Sequence, residues 1–244
     1  ATTSHTYAAS GTYTVTLTVT DSLGATATVS HDVTVSTDVF IAQDDFGRTV
    51  ASGWGNAVTG GAWGTTAGFS VANGVGNISL AAGQTRTNAL TSVSAQDVDA
   101  RLTFSADKVA DGGGLQFNYF VHKTAAGDYR LKLRFASTGA VTVSIAKMVG
   151  TTETQLSARA IGSYTFTPGA KLQMRLQTVT VNGTTTLQAK VWDASTTEPT
   201  AWFVTATDTQ AELQTAGQVG LIAYLSGSTT VAPITVSVDD LQVR

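Results

Sequence analysis

Four stretches of the chain place polar side chains at every second position. In 115–123, Gln116, Asn118, Phe120 and His122 alternate with Leu115, Phe117, Tyr119 and Val121. In 129–135, Arg130, Lys132 and Arg134 alternate with Leu131, Leu133 and Phe135. In 171–177, Lys171, Gln173, Arg175 and Gln177 oppose Leu172, Met174 and Leu176. In 187–192, Gln188, Lys190 and Trp192 oppose Leu187, Ala189 and Val191. A period of two is the signature of a strand with one core face and one outer face. If these strands are neighbours, they build one wall of amide, guanidinium and ammonium donors, with Phe120 and Trp192 set in it. Tyr224, opposite Leu221, Ala223 and Leu225, extends the wall. Such a surface suits a hydroxyl-rich polymer, because planar amides and guanidinium groups bond hydroxyls and an aromatic ring stacks on a sugar face. The competing reading is a plain solvated sheet face, with long polar chains laying their stems over apolar neighbours.

Two pairs of carboxylates form the second constellation. Asp44-Asp45 stands near the start of the main strand-rich region and Asp239-Asp240 near its end. Ile234, Val236 and Val238 alternate, and Leu241 and Val243 resume out of phase, so a bulge is expected at Asp239-Asp240. Carboxylates meeting backbone carbonyls suit a structural Ca²⁺, which takes about 6–8 oxygen ligands. The alternative is that one Asp of each pair is a turn or bulge residue and the other is solvated. The loop pattern of an EF-hand is absent.

Catalytic patterns are sparse, and no enzyme is expected. Glutamate occurs at 153, 198 and 212 alone, far apart in sequence, where glycoside hydrolysis usually needs a close carboxylate pair. His5 and His31 lie in the first segment, leaving His122, and there is no G-x-S-x-G elbow. Gly112-Gly113-Gly114 lacks the lysine and following helix of a phosphate cradle. Trp54 and Trp63 frame a glycine-rich loop and are expected to plug the core.

The elements that position these residues are strands. The chain has 244 residues, 24 Gly, 3 Pro and no Cys. Short runs rich in Thr and Val are separated by Gly, Asn and Asp turns, with one short helix expected near 209–215. Asn182-Gly183 is a two-residue hairpin signal. This pattern predicts an all-β sandwich or jelly roll. A net charge of −3 gives no broad basic surface, so neither nucleic acid nor an anionic membrane is an expected partner. No apolar run is long enough to span a bilayer as a helix. The absence of cysteine excludes a disulfide scaffold.

Two resemblances refine this. Residues 4–36 carry His5-x-Tyr7, then Gly11-x-Tyr13-x-Val15-x-Leu17-x-Val19-x-Asp21, and resemble the C-terminal half of an immunoglobulin-like PKD domain. The upstream strands of that family, with their Trp-Asp-Phe-Gly-Asp-Gly signature, are missing here. Residues 39–244 resemble the concanavalin-A-like (laminin-G-like) jelly rolls of secreted bacterial and phage tail proteins, through 44–63, 189–208 and the ending ITVSVDDLQVR. That ending is similar to the last strand of calcium-stapled carbohydrate-binding jelly rolls. The expected division is 1–37, a partial PKD-like hairpin, and 38–244, a concanavalin-A-like domain, with Ser36-Thr37-Asp38 as linker. The resemblance implies a non-catalytic, extracellular module that binds polysaccharide or a cell-surface glycan on one sheet. The alternative is a structural subunit of a filament or phage tail, in which other copies of the chain complete the half-sandwich.

Overall fold

The computed structural model describes all residues except 1–4, 6, 8 and 36–38, and the backbone alone at Ser163. The expected linker lies outside the described residues. The chain divides into two compact units, Ala1–Val39 and Phe40–Arg244.

The first unit is a hairpin of β1 (Gly11–Thr20) and β2 (Thr26–Val35). Leu17 stands opposite Val29, Val19 opposite Ala27 and Val15 opposite His31, so the alternation gathers one apolar face. Thr16 and Ser30 hydroxyls bond across the other face at 2.8 Å. Asp21 sets the turn: its Oδ1 accepts the N–H groups of Leu23 and Ala25 at 2.8 and 2.9 Å. Among the described residues of this unit nothing covers the apolar face, where Leu17 is 60% and Val29 64% exposed. An isolated hairpin is marginally stable at best in water.

The second unit is a β-sandwich. Its strands are β3 (Ala42–Asp44), β4 (Phe69–Ala72), β5 (Val75–Leu80), β6 (Thr85–Ala95), β7 (Val98–Ala106), β8 (Leu115–Lys123) and β9 (Gly127–Phe135). They continue with β10 (Ala140–Val149), β11 (Thr152–Thr165), β12 (Leu172–Val181), β13 (Thr184–Asp193), β14 (Val204–Asp208), β15 (Gly217–Leu225) and β16 (Ile234–Val243). One sheet has six strands in the order β11-β10-β9-β8-β15-β6. The other has the order β14-β13-β12-β7-β16-β5-β4, and β3 adds to β16. The expected short helix is a single 3₁₀ turn, Ala211–Leu213. Among the described residues no helix is long and apolar enough to cross a membrane.

The inner faces of both sheets meet in one apolar core. At its centre Phe104 lies 4.9 Å from Phe117 and 4.8 Å from Phe135, ring centre to ring centre. Trp54 and Trp63 fill a second aromatic cluster with Phe46 and Phe69, as their glycine-rich loop suggested. Asn182 and Gly183 close the β12–β13 hairpin with φ of 49° and 74°, the left-handed pair that such a two-residue turn requires. The first and last strands pair, Leu241 opposite Asp44. The expected bulge is present: register on β7 slips between Asp239 and Gln242, and Asp240 has φ 51°.

The polar wall is not continuous. β8, β9 and β15 lie in the six-stranded sheet, and β12 and β13 in the other. Asn118, Phe120, Arg130, Lys132, Arg134 and Tyr224 therefore share one outer face, while Arg175, Lys190 and Trp192 belong to the opposite side of the sandwich. Alternation tells which positions face outward, but both sheets of a sandwich have an outer face. Strand-to-strand pairing, which period two does not encode, decides which residues meet.

Candidate functional site

On the outer face of the second sheet the charges are already spent on one another. Arg175 Nε donates to Asp99 Oδ1 at 2.7 Å, its Nη2 to Asp99 Oδ2, and its Nη1 to Glu198 Oε1 at 2.5 Å. Lys190, 5% exposed, donates to Glu198 at 2.7 Å and to the Pro199 carbonyl at 2.6 Å. Arg101 reaches the other Glu198 oxygen at 2.9 Å. The Trp202 ring covers this cluster, 4.7 Å from Lys190 Nζ and 5.3 Å from the Arg175 guanidinium. Arg175 and Lys190 are thus corrected from ligand donors to parts of a clasp that pins the 194–203 loop to β12 and β13. Trp192, half-buried opposite Gln173, stands apart from the other sheet's donors.

The six-stranded sheet differs. Its pairing sets two rows across the strands. One runs Tyr224, Gln116, Arg134, Thr142; the other runs Ile222, Asn118, Lys132, Ser144. Gln116, Lys132, Leu133, Arg134, Thr142, Ser144 and Gln155 line a depression of about 240 Å³. Lys132 is paired with Glu153. Arg130 is held by Asp128 at 2.5 Å and by Glu153 at 3.5 Å, and Asp128 also takes Lys123 at 3.2 Å. Arg134 is exposed and has no ion pair among the described residues. Asn118 is 5% exposed, with Oδ1 unbonded. Phe120 is buried on this outer face across Gly220, where a Cβ would fall 2.4 Å from its ring. It is corrected from a stacking platform to a floor. Thr142, Ser144 and Gln155 were not singled out in the sequence. For Thr142 and Ser144 the signal is the alternation with Val141, Val143 and Ile145 on β10, which small hydroxyls make quiet; Gln155 comes from β11.

His122 is a further correction. Its φ of 54° and the register slip between β8 and β15 turn the ring inward, where it is fully buried. Nδ1 lies 2.8 Å from the Leu213 carbonyl and Nε2 3.1 Å from the Thr178 hydroxyl. The carbonyl can only accept, so Nδ1 carries a proton, while the Thr178 hydroxyl also donates to the Gln96 carbonyl at 3.2 Å. Burial holds the pKa below its ordinary value of 6.5, against the opposing pull of the Leu213 carbonyl and Asp97. The unfolded chain therefore binds this proton first as pH falls. Stability is complete above about pH 6.5 and declines below it, by at most about 1.4 kcal/mol per pH unit. Urea midpoints measured from pH 7.5 to 5 should show this slope in the native chain and a shallower one in His122→Gln.

The four aspartates do not fit a Ca²⁺. Asp44 is fully buried and committed: Arg48 forks onto both oxygens at 2.6 and 2.7 Å, Trp63 Nε1 donates at 2.7 Å and the Phe46 N–H at 3.1 Å. Asp45 accepts the Gly47 N–H at 3.0 Å. Asp239 accepts the Asp240 N–H at 2.8 Å, and Asp240 takes the Thr103 hydroxyl at 3.3 Å. Burial, with Asp240 and Asp45 nearby, pushes the Asp239 carboxyl upward. Among the described residues no group of three or more acidic, histidine or cysteine side chains is disposed to hold a metal. Asp44 is an internal counter-ion, and the others are turn and bulge residues.

Comparison with known proteins agrees with this architecture. Residues 1–36 match the family model of the PKD domain. No curated protein matches the sequence. A β-1,3-glucanase from Mycobacterium marinum is similar in structure, with TM-score 0.56 and 9% identity over 86% of this chain and 100% of that one. A Bacillus licheniformis β-glucanase gives TM-score 0.51 and 11% identity over 85% and 99%. The metal-free carbohydrate recognition domain of Emp46p gives TM-score 0.52 and 8% identity over 72% and 84%. At such identities the likeness is one of fold: residues 40–244 form a concanavalin-A-like sandwich, preceded by a PKD-type segment. The fold occurs in enzymes and in recognition domains alike.

Proposed function

We propose that the chain is a non-catalytic, extracellular carbohydrate-binding module that holds polysaccharide on the outer face of the six-stranded sheet. The observation that carries this reading is the polar depression beside the unpaired Arg134. Its lining offers amides, hydroxyls and one free guanidinium, all capable of bonding sugar hydroxyls. The fold is shared with a carbohydrate recognition domain and with two glucanases, which supports a glycan as partner. A binding role is favoured over hydrolysis because the carboxylates of this face, Asp128 and Glu153, are both ion-paired through Arg130. Neither keeps the apolar surroundings that a general acid needs.

Affinity electrophoresis in gels containing soluble polysaccharides tests the reading. Arg134→Ala should weaken retention about tenfold or more, the size of a lost charged hydrogen bond. Trp192→Ala, on the other sheet, should leave it unchanged. Equal retention of Arg134→Ala and the native chain would remove this face from the proposal.

A second reading rests on the hairpin. An apolar face as exposed as that of Leu17 and Val29 invites strands from another copy, as in a filament or phage tail subunit. Light scattering across a hundred-fold concentration range distinguishes the two: growing mass favours assembly, and constant mass leaves the binding module alone.

A further inference from the structure

The charge pattern of the same depression narrows the ligand class. This step rests on the polysaccharide reading above. The lining contains two cations, Lys132 and Arg134, and no carboxylate. Nor does it contain an aromatic ring. Stacking on a sugar face is therefore not what the depression itself offers; the nearest ring of the row is Tyr224, beyond Gln116. What it offers is polar and ionic bonding.

The cations of this region are not equivalent. Lys123 and Arg130 share Asp128, and Arg130 and Lys132 share Glu153. Arg134 alone among these four has no counter-ion among the described residues. It sits between Gln116 on β8 and Thr142 on β10. Tyr224 stands beyond Gln116 in the same row. Neighbouring strands are about 4.8 Å apart, so the row presents a phenol, an amide, a guanidinium and a hydroxyl at that interval. A guanidinium forks onto a carboxylate through two parallel N–H bonds, and flanking donors hold hydroxyls on either side. The molecule as a whole carries −3, so its overall field does not gather polyanions. The preference is local to this row.

We infer that the polysaccharide held here is an acidic one. A sugar carboxylate sits on Arg134, and the adjoining hydroxyls sit on Gln116 and Thr142. The ligand is thus a uronate-type polymer rather than a neutral glucan.

The test is titration calorimetry of the full chain with polygalacturonate, alginate and hyaluronate. Carboxyl-reduced polygalacturonate serves as the matched neutral polymer and poly-glutamate as a polyanion without sugar. At least one uronate polymer should bind at least tenfold more tightly than the reduced polymer, and raised salt should weaken it. Arg134→Gln should abolish that difference at an unchanged melting temperature. If the reduced polymer binds as well as its parent, the acidic preference is overturned while the polysaccharide reading stands. If no glycan binds, both fall. If poly-glutamate binds as tightly as the uronates, the face reads charge and not sugar, and the inference fails. Unchanged uronate binding by Arg134→Gln overturns the assigned role of Arg134.

Discussion

Replacing Asp44 by Ala lowers the stability of the sandwich by roughly 3 kcal/mol, the cost of leaving a buried charge without its partner. Asp44 is wholly buried, while the Arg48 side chain keeps 24% exposure, so the low end of the range applies. Four donors converge on the carboxylate: two from Arg48, one from the Trp63 indole and one from the Phe46 backbone. Alanine strands all of them. The Trp63 indole then has no partner inside a cluster that also holds Trp54, 4.7 Å away. Asp44→Asn keeps the shape and part of the bonding, so it should lose less than Ala. Urea unfolding at pH 7 measures both. A loss below about 1 kcal/mol for Asp44→Ala, within the range of an exposed pair, would contradict the role given to it.

Replacing Glu198 by Gln should cost roughly 2–3 kcal/mol and leave polysaccharide retention intact. Glu198 is the anion shared by Arg101, Arg175 and Lys190. With Gln in its place, Lys190 is a nearly buried ammonium beneath Trp202 that keeps only neutral acceptors, the Pro199 carbonyl and the amide oxygen, and no counter-charge. Partial exposure of Glu198 and Arg101, 25% and 31%, keeps the figure moderate. Burial alone would raise the Glu198 carboxyl, but bonds from Lys190 and Arg175 and the Arg101 charge outweigh it and hold it below its ordinary 4.5. Its contribution is therefore present above about pH 4.5 and is lost as pH falls through the lower folded value. Glu198→Gln should accordingly flatten the acid side of the stability profile. A loss of retention in a variant with intact folding would mean that the clasp side of the sandwich binds ligand.

Much of this fold is legible in the residues. Asn182-Gly183 announces its turn because only residues tolerant of positive φ close so short a hairpin. The phase slip from Val238 to Leu241 announces the bulge, since a strand cannot change which residues face inward without an extra residue. The same logic fails at His122. Its side chain follows Phe120 at period two, yet a bulge turns it into the core, and the apolar residues that follow are too few to betray the slip. The site is legible in half. Gln116, Lys132 and Arg134 stand out on β8 and β9 because long polar chains alternate there with Leu and Phe. That Arg175 and Lys190 belong elsewhere depends on long-range pairing. That they are consumed depends on Glu198, a lone loop carboxylate with nothing in its neighbours to mark it. Asp44 shows the same limit: its partner Arg48 lies within the same short segment, but only the close approach of Trp63 makes the carboxylate an internal counter-ion instead of a metal ligand.

The central claim is that ligand lies on the six-stranded face. Amide chemical-shift mapping of the full chain, titrated with a soluble oligosaccharide cut from the polymer best retained in electrophoresis, tests it directly. The account predicts that the largest shifts fall on Gln116, Lys132, Arg134 and Ser144. Shifts concentrated on Thr103, Gln173 and Trp192, or on the hairpin of β1 and β2, would contradict it.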